Sequence, residues 1–211
     1  MNYKNQIDPE LKKTARRVPF NRQIVRVGNI YQAAALKLVR LPRGVSAMTI
    51  ETEGYHGLKF KTEVFTPADA ESPMPALIYA HGGAFCYKAA TYHKRLACIY
   101  AAKAKCKVFF PDYHLAPDYP YPAAVKDDFQ KEALPMHSDL PASIPDTYIE
   151  TAEFDCLHDE GILYGQRLEK AGAKVQLNDT RGTFHGYDMA LDTRIVINSV
   201  KKRLSFLRRH F

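Results

Sequence analysis

Apolar and polar residues alternate through AMTIETEG (47–54) and LKFKTEVFTPA (58–68), the period of half-buried strands. Gly54 and Gly57 between them predict a turn. Two continuous apolar runs follow, and both predict buried strands: PALIYA (75–80), fit for a central position, and CKVFFPDY (106–113). Between them HKRLACIYAAKAK (93–105) is alanine-rich and sets Leu96, Ile99 and Tyr100 on one helical face. Prolines crowd at 117, 120 and 122, and AAVKDDFQKEAL predicts a helix starting just after Pro122. DTYIETAEF (146–154) predicts a strand. EGILYGQRLEKAG (160–172) predicts a helix with Tyr164, Leu168 and Ala171 on one face, closed by Gly172, and AKVQLND (173–179) a further strand. Ile197, Val200, Leu204 and Leu207 recur at helical spacing and predict an amphipathic C-terminal helix. Residues 1–45 form an arm with a helix through 31–39 and a break at Pro42-Arg43-Gly44. Strands alternating with helices imply an α/β fold with a largely parallel sheet.

The 211 residues suit one core-forming domain, the arm apart, leaving 46–211 as the main body. The four cysteines (86, 98, 106, 156) are scattered without a C-x-x-C pair, so neither a zinc site nor a disulfide framework is indicated. The opening MNYKNQIDPELKK is charged, and no apolar run approaches the ~18 residues of a membrane span. A cytoplasmic, soluble protein is the expectation. Charge changes the picture more than composition does. Residues 1–45 hold ten Lys/Arg against two acids, and 194–211 hold six against none, while 46–193 carries a net −7. Basic ends suit solvated helix faces with cations near a C-terminus. Nucleic acid or anionic lipid is the alternative, but no helix-turn-helix, zinc or RNA-binding signature accompanies the charge.

Three places carry candidate chemistry. His81-Gly82-Gly83 follows the PALIYA strand directly, where two glycines let backbone N–H groups turn toward one point, as an oxyanion hole needs. Asp155 lies just past the strand of residues 146–154, at the edge where α/β sheets gather their ligands. An Asp there also suits a helix cap, but Asp159 is the better cap candidate and leaves Asp155 for chemistry. His185 lies in a glycine-flanked loop, 182–186, thirty residues after the acid. No G-x-S-x-G occurs, and the eight histidines include no H-E-x-x-H or other metal-ligand spacing. Neither metal nor cofactor is expected.

The segments HGGA (81–84), DYHLAPDYPYPAA (112–124), DCLHDEG (155–161) and HGY (185–187) resemble, in order, the motifs of the hormone-sensitive-lipase-like branch of the α/β-hydrolases. Members carry HGGG, DYRLAPE-x-P-F-P-A-A, GDSAGG, D-P-L-R-D-E-G and H-G-F. The resemblance covers about residues 46–211 and implies an α/β-hydrolase fold: a mostly parallel sheet flanked by helices, with 1–45 as a cap-like arm. It implies an oxyanion hole of Gly82, Gly83 and Ala84, with Asp155 orienting His185 as general base. Ala84 stands for the third glycine, His114 for an arginine, and Cys156 and His158 for the Pro and Arg beside the acid. The implied activity is hydrolysis of small acyl esters through an acyl-enzyme.

The GDSAGG segment has no counterpart. Only about 27 residues separate Asp128 from Asp155, too few for a helix end, the nucleophile strand, its elbow, a helix and another strand. Ser138 and Ser143, the serines of that interval, lack the flanking glycines of a nucleophile elbow. The chain is thus expected to be shortened at the central strand. Either residues 146–154 move in beside PALIYA, or the sheet keeps a gap. Two functions stay open: an ester hydrolase, or a non-catalytic scaffold or binding relative. An open sheet edge or the apolar arm could recruit a second chain.

Overall fold

The computed structural model describes residues 3–15, 21–69, 71, 73–128, 140 and 143–211. They fall into two compact units: 18–133 with 207–211, and 1–17 with 134–206.

The first unit begins with α1 (Arg22–Lys37), whose N-cap Asn21 accepts the Ile24 N–H through Oδ1 at 2.9 Å. The helix starts nine residues before the sequence-predicted stretch, at the Asn21 cap, and its first turns bury Val25. β1 (Val45–Glu53) and β2 (Lys59–Pro67) form an antiparallel pair joined by the Gly54–Gly57 turn. β4 (Lys107–Pro111) pairs antiparallel with β2 and parallel with β3 (Ala76–Ile78), giving the order β1-β2-β4-β3. α2 (Thr91–Ala104) packs on β2 and β4, with Leu96, Ala97 and Ala101 of the helix and Phe65 and Val108 of the strands all fully buried. Each such burial contributes about 1.5–3 kcal/mol for the larger side chains. α3 (Ala123–Asp128) follows Pro122, and the rest of its predicted length lies outside the described residues.

β3 corrects one expectation. PALIYA was predicted as a buried central strand, yet β3 is at the edge of its sheet, and Ile78 is 70% exposed. Its outer side has no strand partner among the described residues, so alternation in exposure replaces double-sided burial. The sheet expected to be largely parallel is mixed in this unit, since β1, β2 and β4 pair antiparallel and only β3 with β4 is parallel.

In the second unit β5 (Thr147–Phe154) and β6 (Val175–Phe184) pair in parallel, linked by α4 (His158–Lys170), the right order for a β-α-β crossover. Gly172 (φ +91°) ends the crossover helix in the left-handed region, as its place in the sequence predicts. β5 pairs with β6 alone among the described residues. β6 also runs to Phe184, five residues beyond the predicted AKVQLND strand. Thr180 and Thr183 are buried and hydrogen-bonded to each other at 3.0 Å, which keeps this polar stretch inside the sheet. α5 (Arg194–His210) buries Val200 and Leu204 as predicted, together with Val196, while Ile197, also predicted for that stripe, is 40% exposed. No helix of the described residues is long and apolar enough to cross a membrane.

Candidate active site

Strand register brings Asp155 and His185 together. β5 and β6 pair Thr147–Ala152 with Val175–Thr180, then shift so that Phe154 pairs with Phe184. The extra β6 residues form a bulge at Arg181–Thr183, where the Gly182 N–H donates to Glu153 Oε2 at 2.7 Å. The next residue on each strand is the acid on one and the histidine on the other. Asp155 Oδ2 lies 2.9 Å from His185 Nδ1. The carboxylate accepts, so Nδ1 carries the proton and Nε2 is the free lone pair. Asp155 is 15% exposed and His185 73%, and no partner of Nε2 is found among the described residues.

Asp155 has a second task. Its Oδ1 accepts the Leu157 N–H at 3.0 Å, turning the chain into α4. The expectation that Asp159 caps this helix is corrected: the N-cap is Leu157, and Asp159 sits inside the first turn. Asp159 instead meets His158 Nδ1 at 2.7 Å, while His158 Nε2 meets Asp179 at 3.0 Å. The hydrogen bond with Asp159, then that with Asp179, raises the His158 pKa above its ordinary 6.5. His158 is therefore a bridge between α4 and β6. Cys156 is exposed.

The residues after His185 rest on a buried network. Tyr187 donates to Glu150 Oε1 at 2.7 Å and shares a 2.7 Å hydrogen bond with Ser199 of α5. Glu150 also accepts from Tyr148, Asn178 and Arg203. Burial works against the Glu150 carboxylate, but these donors, Arg203 foremost, still hold it below the usual carboxylate range. Burial next to that anion raises the Tyr187 phenol to about 12. Sequence reading missed this network, because its members are up to 53 residues apart and only Arg203 opposite Glu150 hints at it.

The 81–85 turn belongs to the first unit. Gly83 has φ +148°, and a Cβ there would lie 2.5 Å from the Tyr87 carbonyl oxygen, closer than any real side chain tolerates. The Gly83 carbonyl in turn accepts the Cys86 and Tyr87 N–H groups at 3.0 and 2.8 Å. Ala84 (φ +50°) and Phe85 (φ +54°) then sit in the left-handed region, at a cost of about 1–2 kcal/mol each. So the third position needs conformational freedom as well as small size, and Ala84 meets only the second need. The N–H groups of Gly82, Gly83 and Ala84 have no protein acceptor among the described residues.

His81 anchors the turn from below. It is 4% exposed, stacks on Tyr113 with ring centroids 4.5 Å apart, and its carbonyl accepts the Tyr113 hydroxyl at 2.6 Å. Burial lowers its pKa, and burial followed by the neighbouring His81 lowers that of His93 to about 3, so both rings are neutral. From α1, Asn29 donates to the Cys86 carbonyl and accepts the Lys88 N–H, both at 2.8 Å. Nothing local in the sequence signals that latch, which spans 57 residues.

His114, which stands in place of an arginine, is structural. Its N–H and Nδ1 both meet Asp127 Oδ2, at 2.9 and 2.7 Å, and Asp127 Oδ1 accepts the Tyr55 N–H at 2.9 Å. The Asp127 side chain is wholly buried. Ser143 is exposed in a bend before β5, and Ser138 lies outside the described residues. Among the described residues no three His, Cys, Asp or Glu side chains converge as a metal ligand set.

A family profile described as alpha/beta hydrolase fold matches residues 77–132 and 130–189, more than half of the chain. Carboxylesterase NlhH of Mycobacterium tuberculosis is 30% identical over 126 residues, which are 58% of this chain and 40% of that protein. Neutral cholesterol ester hydrolase 1 of Rattus norvegicus is 50% identical over 44 residues, 21% of this chain and 11% of that one. The chain thus spans 40% or less of the length of these curated relatives. Among solved structures, a bacterial heroin esterase superposes with a TM-score of 0.84 at 19% identity, covering 97% of this chain and 98% of the other. Esterase LipW from Mycobacterium marinum does so at 0.85 and 19% identity, covering 99% and 97%. At such identity the likeness establishes the fold alone. Together with the motif order and the profile match, it makes the chain a member of the α/β-hydrolase family, on its hormone-sensitive-lipase-like branch.

Proposed function

We propose that this chain descends from carboxylic ester hydrolases of small acyl esters, keeps their acid–base pair and oxyanion turn, and has lost their nucleophile. One observation carries the reading. The chain has no G-x-S-x-G, and the family profile matches it as two segments that meet at residues 130–132, inside the interval where that motif belongs. In this reading Asp155 orients His185, whose Nε2 is the base, and the N–H groups of Gly82, Gly83 and Ala84 are the oxyanion donors. Residues 1–45 are the cap-like arm. The exposed Nε2 and the acceptor-free N–H groups support these roles. With no hydroxyl activated beside His185, no acyl-enzyme forms, and the chain acts as a scaffold or a binding relative.

Stopped-flow hydrolysis of p-nitrophenyl acetate tests this. The expected result is no burst of p-nitrophenol and a rate that His185→Ala leaves unchanged. A stoichiometric burst that disappears in His185→Ala would restore the chain to the working esterases.

A further inference from the structure

A cavity of ≈ 730 Å³ opens within the first unit between α1, the start of β2 and residues 112–119. Its size is that of small-molecule sites, about 300–1,000 Å³. None of Gly82, Gly83, Ala84, Asp155 or His185 lines it. The α1 wall is a single helical stripe, Arg22, Arg26, Asn29 and Ala33, at spacings of four, three and four. The apolar part of the lining includes Val25, Phe60, Leu115 and Tyr119.

The lining charge is unbalanced. Arg22, Arg26, Lys59, Lys61 and Lys88 face Asp112 and Asp118. Lys88 is neutralised by Asp112 at 2.7 Å, and Lys59 by Glu51 at 2.6 Å. Arg22, Arg26 and Lys61 enter no ion pair among the described residues, leaving three cations against Asp118. A concave wall with an uncompensated charge concentrates ions of the opposite sign. Two guanidinium forks one helical turn apart suit a planar carboxylate, and Asp118 disfavours a dianion.

We propose that this cavity binds an amphipathic organic carboxylate, its head at Arg22 and Arg26 and its apolar body against Val25, Phe60 and Tyr119. The site is independent of whether the chain has a nucleophile. Its α1 wall includes Asn29, which holds the Cys86–Lys88 backbone, so an occupant also braces the segment that follows the glycine turn.

Isothermal titration of the full chain with 4-phenylbutyrate, 4-phenylbutyramide and sodium sulfate tests it. The acid is expected to bind one site, and the neutral amide about tenfold more weakly or worse, the scale of a charge-assisted hydrogen bond. Arg26→Gln should weaken the acid by a similar factor, and Lys201→Gln, on α5 in the other unit, should not. Should Arg26→Gln fail to fold, the acid-to-amide ratio of the unaltered chain decides. Equal affinity for acid and amide would overturn the proposal. So would equal losses in the two variants, or sulfate displacing the acid at matched concentration, each marking a merely basic surface.

Discussion

Backbone geometry holds the 81–85 turn, whereas side-chain hydrogen bonds hold His185 against Asp155. In the turn, left-handed dihedrals at Ala84 and Phe85 and the Gly83–Tyr87 contact fix where N–H groups point. Buried His81 and Tyr113 brace it from below, and Asn29 secures the Cys86–Lys88 segment that follows it. In the β5–β6 unit, strand register makes Asp155 and His185 neighbours, and a buried anion, Glu150, fastens the chain just after the histidine. The first region is held by packing that outweighs its backbone strain. The second is kept by charge and is sensitive to charge.

Removing the Glu150 carboxylate should therefore do the greatest damage. The side chain is 9% exposed, and its loss leaves Arg203, Tyr148 and Tyr187 without their shared acceptor. Glu150→Ala is expected to cost about 3 kcal/mol or more, and a thermal melt should fall by roughly 6–12 °C. A melt within about 2 °C of the parent would show that charge does not fasten this region.

The turn should respond to backbone substitutions in opposite directions. Gly83→Ala places a Cβ against the Tyr87 carbonyl and is expected to cost about 2 kcal/mol. Ala84→Gly relieves a left-handed alanine and should add about 1 kcal/mol. Urea unfolding of both variants checks the pair, and a destabilising Ala84→Gly would show that the turn is not strained there.

Acid should separate the regions more finely. The folded His93 has its pKa pushed to about 3 from 6.5, so the unfolded chain takes up its proton first. Stability is then complete above pH 6.5 and falls as pH drops toward 3, by about 1.4 kcal/mol per unit. His93→Gln, which keeps an acceptor for the Ala90 N–H, should flatten that slope between pH 6.5 and 5. Glu150 enters only lower: its contribution starts to fall where the unfolded chain takes up that proton, near the ordinary carboxylate value of 4.5, and is lost as pH drops toward its depressed folded value. An unchanged slope in His93→Gln would put the acid sensitivity elsewhere.

Much of this organisation was legible from local pattern. β2, α2 and α4 follow their periodicities, and Asp155 and His185 stand in the order their motifs imply. What sequence missed depends on partners far along the chain. The run PALIYA cannot announce that its outer neighbour is missing, so β3 was expected inside and lies at an edge. Asn29 pairs across 57 residues, and Asp127 joins Tyr55 across 72. The polar stretch through Thr180 and Thr183 concealed the end of β6, because its threonines satisfy each other within the sheet.

The proposed loss of the nucleophile is tested most directly by labelling with a fluorophosphonate, followed by intact-mass measurement and peptide mapping. The expected result is no adduct on a protein that still melts cooperatively. A stoichiometric adduct mapped to one serine would contradict the account and identify the residue that took over the reaction.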